Sequence, residues 1–66
     1  MDKQSLVRDL KSYCNGGFIT RQKLAAYMGM KNPRHVDGYL TGLERVNGKY
    51  YFIPDVAMRL IERSGV

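Results

Sequence analysis

Between Thr20 and Phe52 the chain sets four local structure signals one after another with no residue to spare, and their spacing leaves few folds open. Thr20 is placed to cap a helix beginning at Arg21, after which Leu24, Ala25 and Met28 recur at the three- and four-residue spacing of one buried face. Gly29 ends that helix. Asn32 is a second cap and Pro33 stands where a first-turn proline is tolerated, so a new helix is predicted from Pro33 to about Leu43, with Val36, Leu40 and Leu43 inward. Asn47-Gly48, between Glu44-Arg45-Val46 and Lys49-Tyr50-Tyr51-Phe52-Ile53, is the strongest short-range signal for a two-residue type I′ hairpin. Two helices joined this tightly must cross steeply, and the hairpin comes directly after them.

The flanks are predicted to pack. From about Asp2 to Cys14, Leu6, Val7, Leu10, Tyr13 and Cys14 share one helical side, while Lys3, Arg8, Asp9 and Lys11 mostly take the other. Asn15-Gly16-Gly17 breaks this helix, and Ile19 is placed to staple against Leu24. Pro54 and Asp55 stop the strand and open a closing helix over 55–63, with Val56, Ala57, Leu60 and Ile61 inward and Arg59, Glu62 and Arg63 outside. Ser64-Gly65-Val66 is expected to fray. The fold class predicted is mostly α with a small β-hairpin: four helices and a two-stranded hairpin in a single domain over 1–66, made of a packing helix (1–14), a helix pair (20–43), the hairpin (44–53) and the closing helix.

A domain of 66 residues buries only roughly 60% of the surface its unfolded chain exposes, so the core is small. A catalytic pocket needs about 300 Å³ with several convergent polar groups, and none of the motifs of catalysis is present; the expectation is that this is not an enzyme. One cysteine and one histidine supply neither an internal disulfide nor a ligand set for zinc, so no metal or cofactor is expected. Cys14 reads as a small buried apolar residue, and Met28 and Met30 as fillers of irregular space between the helices. With no apolar run near the roughly 20 residues of a membrane span and no signal-peptide pattern at the start, an intact cytoplasmic protein is expected, without contact to a membrane.

Eleven Lys and Arg against six Asp and Glu give a net charge of +5, a balance suited to a phosphate-bearing partner. The helix pair and hairpin are then read as a helix-turn-helix with a wing. The major groove of B-DNA, about 12 Å wide, admits one helix, whose first turn faces the base edges. Lys31, Asn32, Arg34 and His35 lie in or beside the first turn of the third helix, and Asp37, Gly38, Tyr39 and Thr41 complete its outer side. Arg34 is the candidate base reader, because its planar fork matches the two acceptors of guanine; the other reading is a solvated charge, and Asn32 has a competing use in its capping bond. His35 is a surface or groove contact. Thr20, Arg21, Gln22 and Lys23 gather amides and two cations at the start of the second helix, where the macrodipole disfavours cations unless an anion such as phosphate joins them. In a two-residue turn Val46 pairs with Lys49 and Arg45 with Tyr50. That puts Arg45, Tyr50 and Phe52 on one side and Val46, Lys49, Tyr51 and Ile53 on the other, with the buried side left open. The tip, Asn47-Gly48-Lys49 with Arg45, can reach phosphates or an adjacent minor groove. Tyr50, Tyr51 and Phe52 are read as packing residues rather than stacking platforms, because an isolated hairpin is marginal.

From Thr20 to about Ile61 the sequence resembles the small excisionase and MerR-type winged-helix DNA-binding domains. The residues that carry the likeness are Thr20, Leu24-Ala25-Ala26, Met28-Gly29-Met30, Val36, the run Arg45-Val46-Asn47-Gly48-Lys49-Tyr50-Tyr51-Phe52-Ile53-Pro54, and the helix holding Val56, Leu60 and Ile61, with an added N-terminal helix expected to cover the core. The resemblance implies a sequence-specific binder of double-stranded DNA, most often an excisionase-like accessory factor of a mobile element that bends DNA for a recombinase. It further implies that Thr20, Arg21 and Lys23 hold backbone, that Arg34, His35 and Tyr39 enter the major groove, and that Arg45 and Lys49 serve the wing. Any self-association would form through this domain or on DNA. A small transcriptional repressor or a plasmid-transfer accessory factor is the alternative within that class. A protein–protein adaptor on the same scaffold is the alternative outside it.

Overall fold

Asp2 starts the first helix: its carboxylate accepts from the Ser5 amide at 3.3 Å and the Ser5 hydroxyl at 3.2 Å. In the computed structural model, which describes residues 2–63, helix α1 (Lys3–Cys14) then runs to Asn15, whose left-handed backbone (φ 56°) turns the chain off. The expected fraying of Ser64-Gly65-Val66 lies outside the described residues. Next come β1 (Phe18–Thr20), α2 (Arg21–Tyr27), a 3₁₀ turn (Pro33–Val36), α3 (Asp37–Leu40), β2 (Arg45–Val46), β3 (Tyr50–Phe52) and α4 (Ile53–Arg63). The described chain is thus mostly helical with one small antiparallel sheet.

That sheet has three strands in the order β1-β3-β2, not the two of a free hairpin. Phe18-Ile19-Thr20, where the sequence predicts a staple and a helix cap but no strand, is extended and pairs with Phe52, Tyr51 and Tyr50 in turn. A hairpin alone cannot bury enough to be stable, and β1 supplies the missing strand. The Ile53 amide donates to the Gly17 carbonyl at 3.0 Å, so the ladder passes directly into α4. This helix begins at Ile53 rather than Asp55, because proline at position 54 needs no backbone donor in a first turn.

The hairpin tip is where the sequence puts it, with positive φ at both Asn47 (55°) and Gly48 (74°). Its register differs by one residue: Val46 faces Tyr50 and Arg45 faces Tyr51, so Lys49 belongs to a three-residue loop. The predicted faces are corrected accordingly. Arg45 shares the side of Tyr51 and Ile19, and Val46 moves to the side of Tyr50, Phe52 and Phe18. Ile19, 1% exposed, marks its side as the buried one, and Phe52, read as a packing residue, lies exposed on the other.

The helix expected over Pro33 to Leu43 is also corrected. Asn32 caps it as predicted, its Oδ1 accepting from the Arg34 amide at 3.0 Å, but the Asn32 carbonyl takes the His35 amide three residues on, which winds the first turn as 3₁₀. Gly38 weakens the next turn, and Thr41 at ψ 127° and Gly42 at φ 87° take the chain out of the helix after Leu40. Its inward residues are nevertheless the predicted ones, with Val36 and Leu40 buried and Leu43 half-buried.

The core is Leu6 and Leu10 of α1, Ile19, Leu24 and Ala25 of α2, Val36 and Leu40, and Ile53, Val56 and Ala57 of α4. Met28 and Met30 pack against it as expected, and Gly29 ends α2 at φ 74°. Tyr13 departs from the predicted inner stripe of α1. It is exposed and meets the Tyr27 ring edge-on, with centroids 5.2 Å apart.

Candidate nucleic-acid interface

The start of α2 is built by Thr20, whose hydroxyl accepts from the Lys23 amide at 3.2 Å. Arg21, the first residue of the helix, turns toward α3 and forms a two-pronged ion pair with Asp37, Nε to Oδ1 at 2.9 Å and a terminal nitrogen to Oδ2 at 3.1 Å. A cation opposed to the α2 dipole thereby gains an anion from within the chain. The side chains of the pair remain 40% and 52% exposed, so an incoming anion can reach the guanidinium. Gln22 and Lys23 are exposed beside it.

Arg21 stands at the junction of two adjoining clefts. The larger, about 400 Å³, lies between it and Asp37, Leu40, Thr41, Gly42, Leu43, Arg45 and Tyr51. The smaller, about 210 Å³, is lined by Arg21, Gln22, Arg45, Gly48, Lys49 and Tyr51. The structure therefore brings Arg21, Gln22, Arg45 and Lys49 together, from the start of α2, strand β2 and the hairpin loop. Arg45 is there because of the shifted register, which turns it to the side of Tyr51. Lys31, Asn32, Arg34 and His35 are exposed along the 3₁₀ turn and line neither cleft, and Asn47 is exposed at the hairpin tip. Asn32 spends its side-chain oxygen on the cap, the competing use foreseen for it. Tyr39 is half-buried, with the Arg63 guanidinium 5.8 Å from the centre of its ring.

Two residues of the polar side of α4 hold this surface. Arg59 donates to the Thr41 carbonyl and Arg63 to the Gly38 carbonyl, each at 2.8 Å. These bonds satisfy carbonyls at the end of a helix too short to satisfy its own. Gly42 makes room for Arg59, since a Cβ there would stand a tight 3.3 Å from a guanidinium nitrogen, whereas one at Gly38 would meet that of Arg63 in ordinary contact at 3.6 Å. The four-residue spacing of Gly38 and Gly42, matched by that of Arg59 and Arg63, is the trace of this contact in the sequence, legible once α3 is known to lie on α4.

Away from the clefts, the Tyr27 hydroxyl donates to Asp9 and ties α2 to α1; this bond, with burial and the Asp9 charge, pushes the phenol up to about 12. Burial raises the Cys14 thiol, and nearby Lys23 opposes the rise. Among the described residues no helix is long and apolar enough to cross a membrane. No protein-family model, curated protein or solved structure matches the chain.

Proposed function

We propose that this chain is a sequence-specific binder of double-stranded DNA with a winged helix-turn-helix architecture, in which α2 supports the segment Pro33–Leu40 and the β2–β3 hairpin is the wing. The observation that carries the reading is the two-sided character of that segment. Val36 and Leu40 are 0% and 4% exposed and fix it to the core, while Arg34 and His35 in its first turn face solvent. First-turn side chains are the ones a groove-seated helix offers to base edges. On the adjoining surface Arg21, Gln22, Arg45 and Lys49 line the clefts with three cations that can meet phosphates, and Lys23 and Lys31 are exposed. Tyr39, further along the segment, is half-buried beside Arg63. The role is binding, not catalysis, and it needs no metal or cofactor.

Within this class the preferred role is an excisionase-like accessory factor of a mobile element, acting in the cytoplasm beside a recombinase on the same DNA. Protection of repeated sites at an element's end supports that role, and protection centred on a promoter supports repression instead. Binding to duplex DNA at two salt concentrations tests the class. Affinity is expected to fall by about 0.9 log units per phosphate contact for each tenfold rise in salt. Arg34→Ala is expected to relax preference at one base position by about 1–3 kcal/mol, and Lys23→Ala to weaken all sequences alike. No duplex binding even at low salt, with tight binding to a protein partner, would replace this reading by the adaptor.

A further inference from the structure

The side of the sheet turned away from the core carries aromatic rings. Pairing places Phe18 opposite Phe52, Thr20 opposite Tyr50 and Val46 opposite Tyr50, all on the face opposed to Ile19 and Tyr51. Phe18, Phe52 and Val46 are 43%, 46% and 45% exposed, and the two Phe rings lie 5.5 Å apart, tilted by 47°. Tyr50 is half-buried on the same face, and the ammonium of Lys49, the residue left out of the strand ladder, sits 5.2 Å from the centre of its ring. In a sheet with one buried side, polar residues on the outer side are sufficient for folding. Here that side has two phenylalanines with no core to join.

We propose that this face stacks unpaired nucleobases, so that the chain binds single-stranded DNA through the sheet as well as duplex through the 3₁₀–α3 segment; the inference rests on the DNA-binding reading and extends it to an opened strand. Size, chemistry and charge choose the occupant. Three side chains about half exposed offer on the order of 250 Å², far short of the roughly 800 Å² per partner of a stable dimer, but enough for one or two planar rings. The groups are aromatic, and antiparallel sheets that hold single strands use aromatic side chains on an open face for successive bases. Tyr50 and Phe52 are two residues apart on β3, about 7 Å along the strand, which leaves room for neighbouring bases of an extended strand. Lys49 borders the rings with positive charge and also lines the smaller cleft with Arg21 and Arg45, so one cation is shared by the aromatic face and the proposed duplex surface.

The test compares a labelled twelve-nucleotide oligo(dT) with a twelve-base-pair duplex, using the full chain at low salt. Phe52→Ala and Phe18→Ala are each expected to weaken oligo(dT) binding by about tenfold or more, the usual effect of losing one stacked base, with duplex affinity kept within about twofold. Phe52→Tyr and Phe18→Tyr keep a stacking ring and are expected to restore binding, which separates stacking from a loss of folding. Ring-current shifts of thymine protons on binding, absent in Phe52→Ala, are the direct signature. Oligo(dT) binding indifferent to both phenylalanines, or equal losses for oligo(dT) and duplex, overturns the inference. So does a concentration-dependent dimer of the free chain that Phe52→Ala abolishes, because the face would then be covered by a second copy. Oligo(dT) binding that needs the phenylalanines in a chain that ignores duplex keeps the stacking face and removes the duplex reading. The reverse pattern keeps the duplex reading alone.

Discussion

Helix α1 carries its own start and stop: Asp2 caps one end, Asn15 in the left-handed region closes the other, and Leu6 and Leu10 face the core between them. Helix α3 is four residues long, contains Gly38, has no side-chain cap at its start, and is held largely from outside. Arg21 of α2 grips its first residue, while Arg63 and Arg59 of α4 take the carbonyls of Gly38 and of Thr41 just past its end. Isolated helices shorter than about 12 residues are marginal in water, and a glycine inside costs about 1 kcal/mol against alanine. The contrast teaches that the surface proposed to read DNA is shaped by arginines on two other helices. Its position is a property of the assembled domain rather than of its own sequence.

Removing the room that α3 leaves for those arginines should give the largest effect. Gly42→Ala puts a Cβ at a residue with φ 87° and 3.3 Å from the Arg59 guanidinium. A loss of about 2 kcal/mol is expected, from left-handed strain and the displaced arginine, read from the urea midpoint. A loss under about 0.5 kcal/mol, the range of neutral surface changes, would mean that α3 does not depend on this approach. Arg59→Ala keeps the backbone and removes only the bond to Thr41, so about 1 kcal/mol is expected, with faster amide exchange at 37–43 and none at 6–14. Equal acceleration in both segments would erase the distinction between the two helices. Asp2→Ala is the mirror experiment. Its bond to the Ser5 amide is long, 3.3 Å, and exposed, so about 0.5 kcal/mol is expected, confined to the first turn of α1.

The same contrast explains what could be read from the sequence. Much of what a residue enforces on its own neighbours was legible, namely the Thr20 and Asn32 caps, the stop at Gly29, the Asn47-Gly48 tip, and the buried spacings of Leu24-Ala25, Val36-Leu40 and Val56-Ala57, although the 3₁₀ winding after Asn32 and the exit at Gly42 were not. What depended on distant partners was not. Phe18-Ile19-Thr20 is a strand only because β3 lies beside it. The hairpin register moved by one because the same turn signal serves a two- or a three-residue loop, and that step exchanged Arg45 and Val46 between faces. Arg21 carried a charge that sequence assigns to any anion, and Asp37 is the one it meets inside the chain. Among the candidate DNA contacts, Arg34 and His35 are exposed as expected, and Tyr39 is half-buried beside an arginine placed beyond the reach of local spacing.

The smallest effect concerns the bond that joins α1 to the α2–α3 half. The Tyr27 hydroxyl donates to Asp9, and the phenol is pushed up to about 12, first by that bond, then by burial and by the carboxylate charge. An unfolded tyrosine loses its proton near 10, so the folded chain holds the proton more tightly. The stabilisation is therefore complete below about pH 10 and is lost as pH rises toward 12. Tyr27→Phe keeps the ring beside Tyr13 and removes only the donor. Native chain and variant are expected to differ by a few tenths of a kcal/mol at pH 8, because the bond is open to solvent, and to converge by pH 12. All other alkaline titrations are common to both proteins and cancel in the difference. A gap in urea midpoints that stays constant from pH 8 to pH 12 would show that Tyr27 steadies α1 through its ring alone, leaving α1 tied to the rest of the domain only by its packed face.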